Sequence, residues 1–165
     1  MSKRTRQYLG LLAAVAAYYV VHEGAHLLYA LALGVFKEIR FLGLGMQIDI
    51  YREHLTDTQL GVFCLLGATA TLLVGYGLVL ASKWICGRKS KLLRAVLFYI
   101  TIIMLILDPV YLGVLCTFFG GGDMNGIALL IPKAAARVIF LFLLALNVLV
   151  FWKIVLPQYR KSFQK

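Results

Sequence analysis

Near its N-terminus the chain reads YLGLLAAVAAYYVVHEGAHLLYALALGVF over residues 8–36, an apolar run that contains two histidines and one glutamate. A helix needs roughly 20 apolar residues to cross a bilayer, and this run exceeds that length. It is also far too long to be the apolar part of a cleavable signal peptide. The run therefore predicts a first membrane-spanning helix with polar side chains inside it.

The composition of the whole chain agrees with a membrane protein. Of 165 residues, 62% are hydrophobic and 15% are charged, whereas a soluble domain is roughly 45–50% apolar and about 25% charged. Disordered proteins, disulfide scaffolds and ordinary cytosolic enzymes are thereby excluded. Further apolar runs over about residues 60–82, 92–119 and 134–156 predict three more spanning helices. The sequence thus predicts an all-α polytopic membrane protein, one unit over residues 1–165, with the lipid bilayer as a partner.

The basic residues indicate an orientation. There are 17 Lys and Arg against 7 Asp and Glu, and they cluster at the ends of apolar runs, as in residues 1–6 and 83–91. Such clusters bind anionic headgroups, so nucleic acid is not expected as a partner. Twelve of the 17 fall on the side of the two termini and five on the other side. The charge count therefore predicts a cell-membrane protein with both termini in the cytoplasm and the segment after the first helix outside.

A change of periodicity follows the first helix. On either side of the turn Gly43-Leu44-Gly45, apolar and polar residues alternate, the apolar ones being Ile39, Phe41, Met46, Ile48 and Ile50. Period-two alternation about a glycine-rich turn is typical of a β-hairpin. We expect a small membrane-associated hairpin over about residues 38–51. An amphipathic stretch lying in the membrane interface is the alternative.

The polar residues of the first helix form an HExxH motif, with His22, Glu23 and His26. Residues i and i+4 share a helix face, so both imidazoles can reach one metal ion, with Glu23 beside them as a general base. His22 lies roughly 21 Å along the helix from Tyr8, deep in a hydrocarbon core about 30 Å thick. An ionised Glu23 is costly there without a partner. A zinc site explains the motif better than a pair of hydrogen-bonded core histidines does.

A catalytic zinc ion commonly has three protein ligands, and two aspartates are candidates for the third. Asp108 lies roughly 26 Å along the third helix from Lys91, at a depth that approaches that of the histidines. Asp123 would lie roughly 48 Å along a straight helix, beyond the membrane. However, Pro109 and the glycines at 120–122 make a straight helix improbable, and a chain that folds back can return Asp123 to the metal. Depth alone slightly favours Asp108.

Two patterns predict close helix packing. Gly67, Thr71 and Gly75 form a row of small residues along the second helix, which lets helices approach closely. Asn147 in the fourth helix is expected to hydrogen-bond to a neighbouring helix.

The HExxH motif and the Gly34-Val35 step and hairpin pattern that follow it resemble the site-2 proteases, a family of intramembrane zinc metalloproteases. Residues 67–71 resemble the family's Gly-Pro-x-x-Asn element, although alanine and threonine replace the proline and asparagine. Residues 122–126 resemble the aspartate-glycine element that supplies the third ligand, although the usual order of that region is not intact. The resemblance implies His22, His26 and Asp123 as Zn²⁺ ligands and Glu23 as the general base, and with it we favour Asp123 over Asp108.

The function expected from these patterns is hydrolysis of peptide bonds in or near the transmembrane segments of membrane protein substrates. The hairpin edge at Met46, Ile48 and Ile50 is the predicted substrate-binding strand. The alternative is a non-proteolytic membrane protein that binds zinc, as a transporter or sensor. Four helices leave little room to enclose a site, so a homo-oligomer is also a possible arrangement.

Overall fold

The computed structural model describes residues 1–43, 45–118, 120 and 122–164, and it is mostly helical. Four helical segments are long and apolar enough to cross a membrane: α1 (Lys3–Ala32), α2 (Asp57–Cys86), α3 (Lys91–Gly113) and Lys133–Gln164. The last comprises α5 (Lys133–Val150), a π-helical stretch (Phe151–Val155) and α6 (Leu156–Gln164). A short helix, α4 (Gly122–Ile127), precedes it, and the strands β1 (Phe36–Leu42) and β2 (Gly45–Ile50) follow α1.

The first helix ends earlier than its apolar pattern predicts. α1 stops at Ala32, not at Phe36. Gly34 has a φ of 68°, a left-handed conformation that is easy for glycine and stops a helix. The Gly34 and Val35 amides then donate to the Leu31 and Ala30 carbonyls at 3.1 and 2.9 Å. This Schellman motif turns the chain directly into β1.

The other helix bounds also differ from the apolar runs. α2 extends beyond residues 60–82 at both ends: it begins at Asp57, where Thr56 and Gln59 form a capping box, and it continues to Cys86, with Gly87 as its C-cap. The expected end of the third helix at Phe119 lies outside the described residues, but α3 already ends at Gly113 and a 3₁₀ turn follows at Leu115–Thr117. The fourth helical segment continues to Gln164, past the predicted end at residue 156.

The hairpin predicted after the first helix is confirmed. β1 and β2 pair antiparallel, with Ile39 opposite Ile48 and Arg40 opposite Gln47. Gly43 in the turn has a φ of 61°, while Leu44 lies outside the described residues. Across the strands, Arg40 Nη2 lies 2.5 Å from the Asp49 carboxylate. Ile48 is buried, so one face of β2 packs onto the helices.

α3 lies at the centre of the bundle, where it packs against α1, α2 and α5. Pro109 lies inside α3 and has no N–H to donate to the carbonyl of Leu105, four residues earlier. Asn147 of α5 donates to this free carbonyl at 2.6 Å, and the Tyr76 hydroxyl of α2 donates to the Asn147 side-chain oxygen at 2.5 Å. The expected interhelical hydrogen bond of Asn147 is therefore confirmed, and it satisfies the group that the proline leaves free.

The short helix α4 is packed against α2 and α5. A Cβ built on Gly126 of α4 would collide with the Cys64 side chain, and one built on Gly61 of α2 would collide with Leu130. Both glycines therefore leave space that neighbouring side chains fill, and a larger residue at either position would displace Cys64 or Leu130. This packing returns the segment after α3 to the bundle.

Much of the outer surface of the helices is apolar. Leu80 is 86% exposed, and other large apolar side chains with more than half of their surface exposed lie on α1, α2 and the last helical segment, including Leu12, Leu73, Val138 and Trp152, while on α3 Leu93 and Leu107 are 41% and 40% exposed. Soluble monomers rarely expose contiguous apolar surface of this extent. Exposed apolar faces of this kind are typical of helices that span a membrane.

The row of small residues predicts a pair of contrasting variants in α2. A Cβ atom added to Gly75 would lie 2.9 Å from Leu105 Cδ2 of α3. A Cβ atom added to Gly77 would have no other atom within 4 Å. We expect Gly75→Leu to lower the free energy of unfolding by about 1–3 kcal/mol through overpacking. Gly77→Leu should be neutral or slightly stabilising because leucine favours the helix. Thermal unfolding of both variants in detergent, followed by circular dichroism, measures the difference, and equal melting temperatures would contradict the packing described.

Candidate metal centre

Three metal-ligating side chains from two helices meet at one point. His22 Nε2 lies 3.3 Å from His26 Nε2 and 3.2 Å from Asp123 Oδ2. His26 Nε2 lies 3.7 Å from the same Asp123 oxygen. Both histidines are buried and Asp123 is half-buried. Among the residues that the structure describes, this is the one group of three such ligand atoms lying within 4.8 Å of one another.

The local folding explains the meeting of these residues. His22 and His26 are one helical turn apart on the buried face of α1. Asp123 is in the first turn of α4, which the glycine contacts described above hold against α2. On a straight helix Asp123 would lie beyond the membrane, and a chain that folds back was the alternative predicted from the sequence. Asp123 lies instead beside the histidines, because α3 ends at Gly113 and the chain folds back.

The spacing of the three atoms is suitable for a metal ion. Zinc bonds of 2.0–2.1 Å to nitrogen and oxygen in tetrahedral geometry place neighbouring ligand atoms about 3.3–3.4 Å apart. The three separations here, 3.2, 3.3 and 3.7 Å, lie close to that value. Two histidines and one carboxylate also leave a fourth position for water or substrate, as catalytic zinc sites do. The donor set therefore fits zinc.

A glycine on α2 makes room for the two imidazoles. A Cβ on Gly67 would lie 2.6 Å from Nε2 of both His22 and His26. Any larger residue would occupy the space into which these ligand atoms point.

The two candidate aspartates occupy different sides of the same imidazole. Asp123 contacts Nε2 of His22, and Asp108 of α3 contacts Nδ1 at 3.2 Å. The Tyr18 hydroxyl donates to Asp108 Oδ1 at 2.5 Å, and the Thr71 hydroxyl donates to Oδ2. The structure thus brings Asp123 to the two histidines and places Asp108 behind one of them. The ligand set itself stays a prediction.

Sequence reasoning missed the roles of Tyr18 and Thr71. Tyr18 is four residues before His22, so helical spacing alone places the two on one face, and their rings are stacked with centroids 5.1 Å apart. Thr71 was interpreted as a small packing residue and as the threonine that replaces the asparagine of the Gly-Pro-x-x-Asn element, without a hydrogen-bond partner. Nothing in the sequence indicates that its hydroxyl meets Asp108 of another helix.

The Glu23 carboxylate connects α1 to the hairpin. Its Oε2 accepts a hydrogen bond at 3.1 Å from the Ile48 amide of β2. This amide points away from β1, so it belongs to the free edge of the sheet. Successive amides of a strand point to opposite edges. The Tyr51 amide points toward the β1 side, where it donates to the Val35 carbonyl, so the amides of residues 46, 48 and 50 point the other way. Met46 and Ile50 therefore present their backbone groups on the same free edge as Ile48.

A cleft of about 720 Å³ opens beside these groups. Its walls include His22, Glu23, His26 and Asp123 together with the three predicted strand residues Met46, Ile48 and Ile50. The candidate ligands and the free edge of β2 therefore share one cavity.

The Asp123 carboxyl group is held in its ionised form. Burial by itself raises the pKa of a carboxyl group, but the contacts with His22 and His26 outweigh burial and keep the pKa of Asp123 below its ordinary value. An ionised carboxylate is the form that binds metal.

Comparison with protein-family models, curated proteins and solved structures found no match to this chain.

The role of Gly67 can be tested with a single methyl group. We expect Gly67→Ala to weaken Zn²⁺ binding at least tenfold because the added Cβ lies against both Nε2 atoms. Gly24→Ala is the matched control, since a Cβ at Gly24 meets no atom within 4 Å. Zinc content of the purified variants after dialysis against a weak chelator is the measurement. Equal zinc content in the two variants would show that the ligand atoms do not meet at this point.

Proposed function

We propose that this protein is an integral membrane zinc metalloprotease of the type its motif resembles, the site-2 proteases, and that it cleaves peptide bonds in or near transmembrane segments. The observation that carries the proposal is the near-tetrahedral spacing of His22, His26 and Asp123, with the Glu23 carboxylate in the same cleft. Location in a membrane is supported by the four long apolar helices and their exposed apolar faces.

In this proposal His22, His26 and Asp123 hold the metal. Bound zinc would supply a Lewis acid that polarises the scissile carbonyl and makes a water molecule more acidic. Glu23 accepts a proton from the attacking water while the water oxygen forms a bond to the carbonyl carbon of the substrate. Glu23 then delivers that proton to the amide nitrogen as the C–N bond breaks, leaving a carboxylic acid and an amine.

The hairpin would present the substrate. A helical segment hides its carbonyls in hydrogen bonds, so it must be extended locally before attack. An extended segment can pair with the free edge of β2 at Met46, Ile48 and Ile50. Because the Ile48 amide touches Glu23, a segment on this edge would pass directly beside the general base.

Exchanging Glu23 for glutamine separates catalysis from metal binding. Glutamine accepts no proton from water, but its side-chain oxygen still accepts the Ile48 hydrogen bond. We expect Glu23→Gln to retain about one zinc per chain and to lower the cleavage rate by at least 10²-fold. The assay is a panel of single-span membrane proteins reconstituted with the protein in liposomes, with fragments identified by mass spectrometry.

The outcomes of this assay are distinct. Cleavage retained in Glu23→Gln would contradict the mechanism. A wild-type protein that binds zinc but cleaves none of the panel would favour the transporter or sensor function. A wild-type protein without zinc would contradict the metal centre.

The strand edge can be tested at Ile48. Proline there removes the one edge amide that meets Glu23 and leaves the pairing with β1 intact, as proline on an edge strand does. We expect Ile48→Pro to lower cleavage at least tenfold with zinc content unchanged. Ile48→Val keeps the amide and most of the buried side chain, so it should cleave normally. Equal activity of the two variants would show that the Ile48 amide is needed neither for substrate pairing nor for the position of Glu23.

A further inference from the structure

Asp108 carries a carboxylate that is buried in an apolar bundle. It has no role in the function proposed above. It is 1% exposed, and the transfer of a charged carboxylate from water to such a place is costly unless its oxygens accept hydrogen bonds. Three side chains from two other helices provide these bonds. Tyr18 and His22 come from α1, and Thr71 comes from α2.

We propose that Asp108 is a positioning residue that fixes the ring orientation and tautomer of His22 for metal binding. The inference rests on the proposed function, because it takes His22 Nε2 as a metal ligand. Asp108 accepts a hydrogen bond from the N–H at Nδ1, so the neutral imidazole keeps its proton on Nδ1 and has its lone pair on Nε2, directed at His26 and Asp123. A carboxylate behind a metal-bound histidine plays this part in many zinc sites.

The geometry excludes Asp108 from the ligand set itself. Its two oxygens lie 3.2 and 3.3 Å from Nδ1, while Asp123 and His26 meet Nε2 of the same ring. The two nitrogens of an imidazole point in divergent directions. A carboxylate that contacts Nδ1 is therefore on the far side of the ring from an ion at Nε2.

Two hydroxyl groups in turn hold the carboxylate. Tyr18 donates to Oδ1 at 2.5 Å and Thr71 donates to Oδ2, so each oxygen has its own donor in addition to His22. The Tyr18 ring also stacks on the His22 ring at an interplanar angle of 28°. The plane of the imidazole is thus fixed by stacking, and its rotation within that plane is fixed by Asp108.

The second histidine has no comparable support in the described part of the chain. His26 Nδ1 is buried without a hydrogen-bond partner among those residues, and the His26 ring packs on Phe63 with centroids 4.5 Å apart. Among the described residues Asp108 is the one carboxylate that contacts the Nδ1 of either histidine, at His22, and its loss removes that contact. We expect its effect on metal affinity to be large for a residue that does not touch the ion.

The test is the affinity of the full-length protein in detergent for Zn²⁺, measured by competition with a chromophoric chelator. Loss of a partner behind a ligand typically weakens binding 10–100-fold. We expect Asp108→Asn to fall in this range, because an amide oxygen still accepts from Nδ1 but the amide nitrogen accepts from neither hydroxyl. Asp108→Leu should bind more weakly still. Both should reach about one zinc per chain at saturation, whereas Asp123→Ala should not.

Two further variants separate positioning from folding. Tyr18→Phe removes one hydroxyl, retains the stacked ring and should weaken binding severalfold, so it keeps the inference testable if Asp108→Leu fails to fold. Asn147→Leu is the control, because it removes another buried hydrogen-bond network, between Tyr76 and the Leu105 carbonyl, and should leave the affinity unchanged. The absorption bands of bound Co²⁺ should shift in the Asp108 variants and remain in place in Asn147→Leu.

Each outcome decides a different point. Wild-type affinity and Co²⁺ bands in both Asp108 variants would overturn the positioning role and leave the proposed metalloprotease standing. Loss of zinc at saturation in Asp108→Asn, with zinc retained in Asp123→Ala, would make Asp108 a ligand and overturn the inference. A wild-type protein that binds no zinc would overturn the proposed function and the inference with it.

Discussion

The His22 imidazole joins three helices of the bundle. It projects from α1, one ring nitrogen meets a carboxylate from α3, and the other meets a carboxylate from α4. The buried Asp108 carboxylate is satisfied by the imidazole and two hydroxyls, and the half-buried Asp123 carboxylate contacts the imidazoles of His22 and His26. The positions of α3 and α4 relative to α1 are therefore linked to the chemistry of one side chain. A bundle of mostly apolar helices obtains its most specific contacts from this polar centre.

The same constraint acts elsewhere in the bundle. Pro109 leaves the Leu105 carbonyl free, and Asn147 bonds to it while accepting from Tyr76. In an apolar environment no water replaces a missing partner, so each polar group fixes the approach of a neighbouring helix. Small residues permit the approach, as Gly75 does where α2 meets α3. Polar contacts and glycines thus act together to set which helix faces meet.

The sequence predicts much of this arrangement. It does not predict which side-chain atoms of two neighbouring helices meet, because that depends on how each helix is rotated about its own axis. The one-turn spacing of His22 and His26 is enough to place them together, and alternation is enough to predict the hairpin. The depth of Asp108 was estimated correctly as similar to that of the histidines, but depth along an axis does not say which ring nitrogen the carboxylate meets. Pro109 and the glycines at 120–122 indicated that the chain could fold back, but the contacts between α4 and α2 that hold Asp123 beside the histidines are not encoded in a local pattern. The apolar run also predicted the wrong end for α1. The run continues to Phe36, but the helix stops at Ala32 because Gly34 adopts a left-handed conformation.

The hydrogen bond between Glu23 and the Ile48 amide has an evolutionary consequence. One side chain is both the proposed general base and the anchor of the hairpin on α1. A lineage that replaced this glutamate with an apolar residue would lose the anchor together with the chemistry, and the shape of its cleft would change too. Glutamine is the exception, since it keeps the anchor while abolishing proton transfer. Very few substitutions at this position could therefore remove the proposed general base and leave the shape of the cleft unchanged.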